Sequence, residues 1–118
     1  MESGEFIAVI GRNEAGKTTL CNVIRGFAPH FYSGKISGSV TVNGKDVLKT
    51  EIGDLSGDVG YVFQNPFNQN SGVKSTVYEE ISYGLENLGV PREEIFLRVD
   101  RVIELLGIGY LAGKHPLK

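Results

Sequence analysis

Residues 6–18 of this chain are Phe6-Ile7-Ala8-Val9-Ile10-Gly11-Arg12-Asn13-Glu14-Ala15-Gly16-Lys17-Thr18. The first five are apolar, and the other eight fit the pattern GxxxxGK[ST], in which x is any residue. Beyond the pattern, apolar residues recur at the spacing of one helix face, at Leu20, Val23 and Ile24. We therefore predict a buried strand at 6–10, a glycine-rich loop at 11–18, and a helix that Gly26 caps.

The glycine-rich loop has the chemistry of a triphosphate-binding site. Glycines allow backbone N–H groups to close around phosphate oxygens, and the helix directs its positive end at the anion. Lys17 supplies an ammonium for the terminal phosphates, and Thr18 supplies a hydroxyl for Mg²⁺. The predicted binding residues are Gly11, Arg12, Asn13, Glu14, Ala15, Gly16, Lys17, Thr18 and Thr19. The alternative is a glycine-rich turn before an ordinary helix.

Length and composition indicate one ordinary globular domain. A chain of 118 residues with 41% hydrophobic residues is long enough to bury a core. No segment has the apolar length of a membrane span, and the N-terminus lacks the basic region of a secretory signal, so we expect a cytoplasmic location. The formal charge of −2, without a basic stripe, argues against nucleic acid as a partner. The single cysteine, Cys21, is expected to pack in the core, with a reactive thiol as the alternative.

Two further β elements are predicted after the first helix. Residues 39–42 and 45–47 flank Asn43-Gly44, which is the strongest short signal for a hairpin. Residues 58–63 are β-branched and aromatic and predict a second buried strand. That strand leads into a polar turn, where Gln64 is placed to reach a bound triphosphate. Residues 27–34, which contain Pro and Gly, are predicted to be a loop.

From Thr76 the apolar residues recur with a helical period. Thr76 and Glu79 have the spacing of a capping box, and the apolar face consists of Val77, Ile81, Leu85 and Leu88. A second helix is predicted from near Pro91, with an apolar face of Ile95, Val99, Val102, Ile103 and Leu106. These helices indicate a helical lobe at 76–118, distinct from an α/β core at 1–75.

Together these motifs resemble the ATP-binding subunits of ABC transporters, and most closely the energy-coupling factor type, which drives uptake of vitamins or transition-metal ions. The resemblance is carried by the loop at 11–18 and by the stretches 62–69, 77–80 and 83–91, and it covers essentially the whole chain. It implies an α/β P-loop NTPase fold with ATP and Mg²⁺ as ligands. Residues 29–38 are similar to a subgroup linked to uptake of thiamine precursors.

The resemblance also implies roles outside the loop. Gln64 would contact Mg²⁺ and the γ-phosphate together with Thr18, and would pass that state to a membrane subunit. The segment 64–84 would lie at the docking groove for a coupling helix, with Phe67 and Tyr83 as contacts. The implied partners are a transmembrane transporter subunit and a second ATPase subunit, and the implied location is the inner face of the cell membrane.

The sequence departs from the family pattern in the loop and in extent. Family loops usually carry Pro at the position of Arg12 and Gly at that of Glu14. The aromatic residue that stacks on adenine, the LSGGQ signature, the catalytic glutamate and the switch histidine are not in the sequence, and residues 112–118 resemble the segment just before the signature. The resemblance thus implies a truncated ATPase that binds ATP without completing hydrolysis alone, and that has low stability or aggregates.

Other classes of protein remain as alternatives. The second hypothesis is a non-catalytic nucleotide-binding or interaction module. An ABC-type ATPase of repair or translation would carry a charged or coiled insertion near the helical lobe. A small P-loop kinase would need an arginine cluster at its acceptor site or lid, whereas Arg92, Arg98 and Arg101 fall on one helix and are typical of a solvated face.

Overall fold

A computed structural model describes all residues from Met1 to Lys118. In chain order its elements are α1 (Lys17–Arg25), α2 (Phe27–His30), β1 (Thr41–Val42), β2 (Lys45–Asp46), α3 (Ile52–Leu55), a 3₁₀ turn (Pro66–Asn68), α4 (Val77–Asn87), α5 (Arg92–Leu106) and a second 3₁₀ turn (Gly109–Leu111). The chain forms two compact units, Met1–Tyr61 and Val62–Lys118, which are described separately. The division into domains at residues 75 and 76 stays a prediction.

The hairpin predicted around Asn43-Gly44 is confirmed. Strands β1 and β2 pair antiparallel, with Thr41 opposite Asp46 and Val42 opposite Lys45. Asn43 and Gly44 both have positive φ, 47° and 78°. Two consecutive residues with positive φ are what the twist-compatible two-residue turn requires, and Asn-Gly adopts them with little strain.

The core of the first unit lies where helix α1 ends. Val47 and Leu55 are fully buried. Gly26 caps α1 in the left-handed conformation, with φ 83°, and its N–H bonds to the carbonyl oxygens of Asn22 and Val23. The predicted glycine cap is therefore confirmed. The same turn leads into α2, which lies within residues predicted to be a loop and is interrupted at Ala28, where the backbone is extended with φ −108° and ψ 130°.

The two buried strands predicted at 6–10 and 58–63 are wrong for this structure. Neither segment belongs to a sheet, and the only sheet is the hairpin of β1 and β2. Phe6 is 99% exposed, Ile10 is 91% exposed and Val62 is 86% exposed. A strand exists only when a neighbour accepts and donates its backbone hydrogen bonds, and no segment of the chain does so for residues 6–10. Both segments are largely apolar, but none of their residues is buried.

Helix α1 also exposes more apolar surface than its sequence pattern predicts. None of its residues is buried, and Leu20 is half-exposed. Cys21 is exposed, so the expectation that it packs in the core is wrong. The helical period places a residue on a face, but a neighbouring element must still cover that face.

The second unit is a helix pair whose ends form as predicted. Thr76 caps α4 by accepting from the Glu79 N–H, while the Glu79 carboxylate accepts from the Thr76 N–H, which confirms the capping box. The returning C-terminal segment satisfies two more amides of α4, because Val77 and Tyr78 donate to the carbonyl oxygens of Lys114 and Ala112. These bonds pair amides at the start of α4 that no residue within the helix can accept from.

The core of the second unit is centred on helix α5. Ile95, Val99 and Ile103 are buried, and the half-buried residues packed against them are Tyr78, Ile81, Leu85, Val90, Ile108 and Ala112. Leu88, Val102 and Leu106, which were predicted on the apolar faces, are at least one third exposed. One neighbouring helix covers only part of a wide apolar stripe, so its margins stay in contact with water. No helix in the structure is both long enough and apolar enough to cross a membrane.

Candidate functional site

The glycine-rich loop approaches helix α1 through a tight, partly left-handed turn. The Ala15 N–H donates to the Arg12 carbonyl oxygen at 3.3 Å. Gly16, immediately before α1, has φ 91° and ψ 9°, and Glu14 has φ 65°. A positive φ suits glycine, whereas for glutamate it costs roughly 1 kcal/mol. Position 14, where family loops usually carry glycine, therefore has the conformation that glycine favours.

The start of α1 presents a set of unpaired backbone donors. The first backbone bond of the helix runs from the Leu20 N–H to the Gly16 carbonyl oxygen, at 2.9 Å. No protein acceptor pairs with the amides that precede it, which are those of Gly16, Lys17, Thr18 and Thr19. The first turn contains no acidic residue and no side-chain cap. These amides and the positive end of the helix are therefore available to an anion.

Lys17 brings a full positive charge to the same turn. Its Nζ atom donates to the carbonyl oxygens of Gly11 and Arg12, at 2.8 and 2.7 Å. The ammonium therefore lies over the backbone of the loop instead of extending into solvent. Since an ammonium has three N–H groups, one donor remains for a phosphate oxygen even while both carbonyl contacts persist.

The hydroxyl groups of Thr18 and Thr19 lie next to this donor set. Both residues are exposed, and neither hydroxyl makes a hydrogen bond within the protein. A neutral hydroxyl oxygen is a suitable hard ligand for Mg²⁺, which usually keeps several waters and takes few protein ligands. The residues present thus fit a phosphate-bound magnesium ion.

Arg12 and Glu14 carry opposite charges within the loop but do not pair. The ion pairs of the structure are Lys45–Asp58, Lys49–Asp46, Lys74–Glu86 and Arg98–Glu94, and none of them involves the loop. Both Arg12 and Glu14 are exposed. The negative charge of Glu14 is therefore not neutralised by a direct contact with Arg12.

Gln64 lies in the second unit, in an exposed bend just before the 3₁₀ turn Pro66–Asn68. The Asn65 carboxamide caps that turn by accepting from the Phe67 N–H at 3.1 Å, and the Phe63 N–H donates to the Gln69 Oε1 atom at 3.1 Å. These side-chain bonds act together with backbone bonds inside the 3₁₀ turn. The role of Gln64 as a metal and phosphate contact stays a prediction.

Two further predicted contacts differ in their surroundings. Phe67 is 72% exposed. Tyr83 is half-buried, and the Lys74 ammonium lies 5.2 Å from the centre of its ring. Lys74 also pairs with Glu86, a contact that the sequence did not predict. No local spacing rule relates a loop residue to a helical residue so far along the chain, so only a tertiary structure reveals such a pair.

Comparison with known proteins gives the family. The profile of the ABC transporter family matches residues 1–117. A protein of Pyrococcus abyssi, provisionally named an ABC transporter ATP-binding protein, is 40% identical over 90% of this chain and 37% of its own length. The energy-coupling factor transporter ATP-binding protein EcfA1 of Lacticaseibacillus paracasei is 40% identical over 98% of this chain and 39% of its own length.

The chain belongs to the ABC transporter family, and with it to the P-loop NTPases. A similarly named protein of Methanosarcina mazei is 39% identical over 96% of this chain, but only 18% of that protein is covered. The chain thus spans less than two fifths of the length of these curated relatives. The match extends over both compact units.

Proposed function

We propose that residues 11–19 bind ATP with Mg²⁺. The observation that supports this most directly is the combination of unpaired amides at 16–19 with the Lys17 ammonium at one end of α1. Backbone donors, a helix N-terminus and a lysine together recognise a polyphosphate. The Thr18 hydroxyl would supply the protein ligand to magnesium.

We further propose that this chain is the ATP-binding part of a transporter that couples ATP binding and hydrolysis to membrane uptake. Family membership supports the general assignment. The similarity to EcfA1 supports the energy-coupling factor type, and with it a vitamin or a metal ion as cargo. On this proposal Gln64 contacts the magnesium and the γ-phosphate. The partners are a transmembrane subunit and a second ATPase subunit at the cytoplasmic face of the membrane.

The binding site is tested by comparing Lys17→Ala with Lys35→Ala. Lys35 is an exposed lysine of the same unit that makes no ion pair, so its variant controls for the loss of one positive charge. We expect Lys17→Ala to weaken Mg-ATP binding by about tenfold or more, because a charge-assisted contact to phosphate is lost. Isothermal titration calorimetry measures the affinity. Equal affinities of wild type and Lys17→Ala would refute the assignment.

The magnesium ligand is tested with Thr18→Val and Thr19→Val. Valine has nearly the shape of threonine but no hydroxyl, so the comparison isolates the oxygen atom. We expect Thr18→Val to reduce the gain in ATP affinity that Mg²⁺ provides, while Thr19→Val leaves that gain unchanged. The measurement is ATP affinity with Mg²⁺ and with EDTA. The reverse ranking of the variants would remove Thr18 from the site.

A further inference from the structure

Carboxylates of helix α4 hold the segment that precedes the helix. We name residues 71–76 the tethered segment. Glu79 accepts from the backbone N–H groups of Ser75 and Thr76, at 3.2 and 3.1 Å. These bonds belong to the cap of α4 and fix only the last residues of the segment. Further contacts reach from later positions of the helix.

Glu80 holds the first residue of the tethered segment. Its Oε2 atom accepts from the Ser71 hydroxyl at 2.7 Å, and its Oε1 atom accepts from the Ser71 backbone N–H. The Ser71 hydroxyl oxygen in turn accepts from the Val73 N–H at 3.3 Å. Both oxygens of one carboxylate are thus used on one residue, which fixes the position and the orientation of the backbone there.

Glu86 holds the middle of the tethered segment. Its Oε2 atom lies 2.7 Å from the Lys74 Nζ atom, and its Oε1 atom accepts from the Ser82 hydroxyl at 2.6 Å. Ser82 is buried, and its hydroxyl also lies 2.9 Å from the Glu79 carbonyl oxygen, so its one hydrogen is donated to Glu86 or to that carbonyl at any moment. The Tyr83 ring lies under the same ammonium. The pKa of Glu86 is held below its usual value of 4.5, chiefly by the hydrogen bond from Lys74, so the pair is charged at neutral pH.

Only one residue, Asn70, separates the tethered segment from the turn that carries Gln64. That turn, residues 62–69, is closed by the bond from Phe63 to Gln69. The Asn70 side chain also accepts from the Gly72 N–H at 2.9 Å. Side-chain bonds therefore involve most residues between Gln64 and α4. The only regular element in that stretch is the 3₁₀ turn Pro66–Asn68.

We propose that Lys74, Glu80 and Glu86 are positioning residues that fix the turn at 62–69 to helix α4, so that the turn and the helix move as one body. The proposal rests on the proposed function in one respect: the movement that it transmits would follow ATP binding at Gln64. It assigns to the Lys74–Glu86 pair the role of keeping a polar turn aligned with a rigid helix. Glu80 and Glu86 lie in the stretches 77–80 and 83–91 that carry the family resemblance, whereas Lys74 lies outside them.

The test uses the full chain, without nucleotide, and measures backbone order by ¹⁵N NMR relaxation. The single variants are Lys74→Glu and Glu86→Lys, and the double variant exchanges the two charges. Glu104→Gln is the matched control, because Glu104 is an exposed acid that makes no ion pair and no side-chain hydrogen bond. In wild type and control we expect order parameters of about 0.85 for residues 64–70, equal to those of α4.

Each single variant should lower the order parameters of residues 64–70 to about 0.6 or less, and the charge exchange should restore them. Amide exchange of residues 71–76 should become about three- to fivefold faster in the single variants, as expected for loss of a partly exposed ion pair. Order parameters in α5 should not change. Recovery of the order parameters in the charge-exchange variant separates a positioning role from a general loss of folding.

Three results would overturn the proposal. The first is a turn already flexible in wild type, and the second is unchanged order in the single variants. The third is a loss of order that the charge exchange does not reverse. None of these measurements requires ATP. If wild type and Lys17→Ala bound ATP equally, the proposed function would fail, while the NMR comparison would still decide whether the tether exists.

Discussion

Gly26 lies directly against Leu55. A Cβ atom at residue 26 would lie 2.7 Å from the Leu55 Cδ1 atom, and Leu55 is fully buried. Gly26 also has a positive φ of 83°. We predict that Gly26→Ala lowers the free energy of unfolding by roughly 2–4 kcal/mol, from backbone strain together with overpacking. Urea denaturation followed by circular dichroism measures the change.

Gly53→Ala is the matched control for that substitution. Gly53 lies in α3, has no positive φ, and would place its Cβ atom in open space. Alanine there should be neutral or slightly stabilising, because alanine favours helix more than glycine does. Similar destabilisation by both alanines would contradict the packing of Gly26 on Leu55.

Glu14 combines an unfavourable backbone conformation with a negative charge in the candidate phosphate site. We predict that Glu14→Gln raises ATP affinity about two- to fivefold, since an exposed like charge near the ligand is removed. The gain should shrink as salt is added. Calorimetry at two ionic strengths measures it.

Glu14→Gly separates the two effects at this position. Glycine removes the charge and also relieves the positive φ of 65°, so its gain in affinity should equal or exceed that of glutamine. Its effect on stability should be small, because the relief of strain is offset by the greater freedom of glycine in the unfolded chain. If neither variant bound ATP more tightly than wild type, Glu14 would point away from the bound phosphates.

Asp58, which follows α3 in the first unit, bonds to two residues of the hairpin. Its carboxylate accepts from the Lys45 ammonium at 2.6 Å and from the Asn43 side chain at 3.2 Å. The hydrogen bond from Lys45, and then that from Asn43, holds the pKa of Asp58 below its usual value of 3.8. The stability that it contributes is therefore present above about pH 4 and is lost as pH falls through the folded pKa.

Asp58→Asn should consequently flatten the acid side of the stability profile. The measurement is the midpoint of urea denaturation between about pH 2 and pH 7 in wild type and variant. Wild type should lose stability below about pH 4 more steeply than the variant. Glu51→Gln is the control, since Glu51 is exposed and makes no ion pair. Parallel profiles for wild type and Asp58→Asn would disprove the coupling.

The exposed apolar segment at 6–10 should promote self-association. Its backbone makes no hydrogen bonds, and Phe6 and Ile10 are almost completely exposed. An unpaired extended segment with apolar side chains is a template for strand pairing between molecules. We predict that Phe6→Lys raises the concentration at which light scattering begins, with little change in the free energy of unfolding.

Leu97→Lys tests whether any exposed apolar residue would behave in this way. Leu97 is 73% exposed, but it lies on helix α5, whose backbone donors and acceptors are paired within the helix. Its substitution should change the onset of scattering much less. An equal improvement from both lysine variants would argue against strand pairing as the cause.

Signals confined to a few neighbouring residues were interpreted correctly. The Asn43-Gly44 turn, the capping box of Thr76 and Glu79, and the glycine cap at Gly26 form as expected. Each depends on backbone conformation and on hydrogen bonds within about four residues, so the surrounding fold has little influence. Gly16 and Lys17 of the loop likewise begin a helix where the motif places it.

Predictions of burial and strand pairing, which depend on residues far apart in the sequence, were less accurate. Residues 6–10 have a strand's composition but no strand partner, and Cys21 is exposed although it lies beside apolar residues of α1. The Lys74–Glu86 pair was not foreseen at all. In each case the outcome depends on what lies opposite in space, and a single sequence does not state this.

The sequence by itself determined the glycine-rich loop, the helix that follows it, the hairpin, and the capped helix pair, because these are set by local backbone preference and local hydrogen bonds. Only the tertiary structure decided which apolar faces are covered, where Gly26 must stay small, and which carboxylates of α4 hold the segment before it. Burial and long-range ion pairs need two surfaces to meet, and their free energy depends on both.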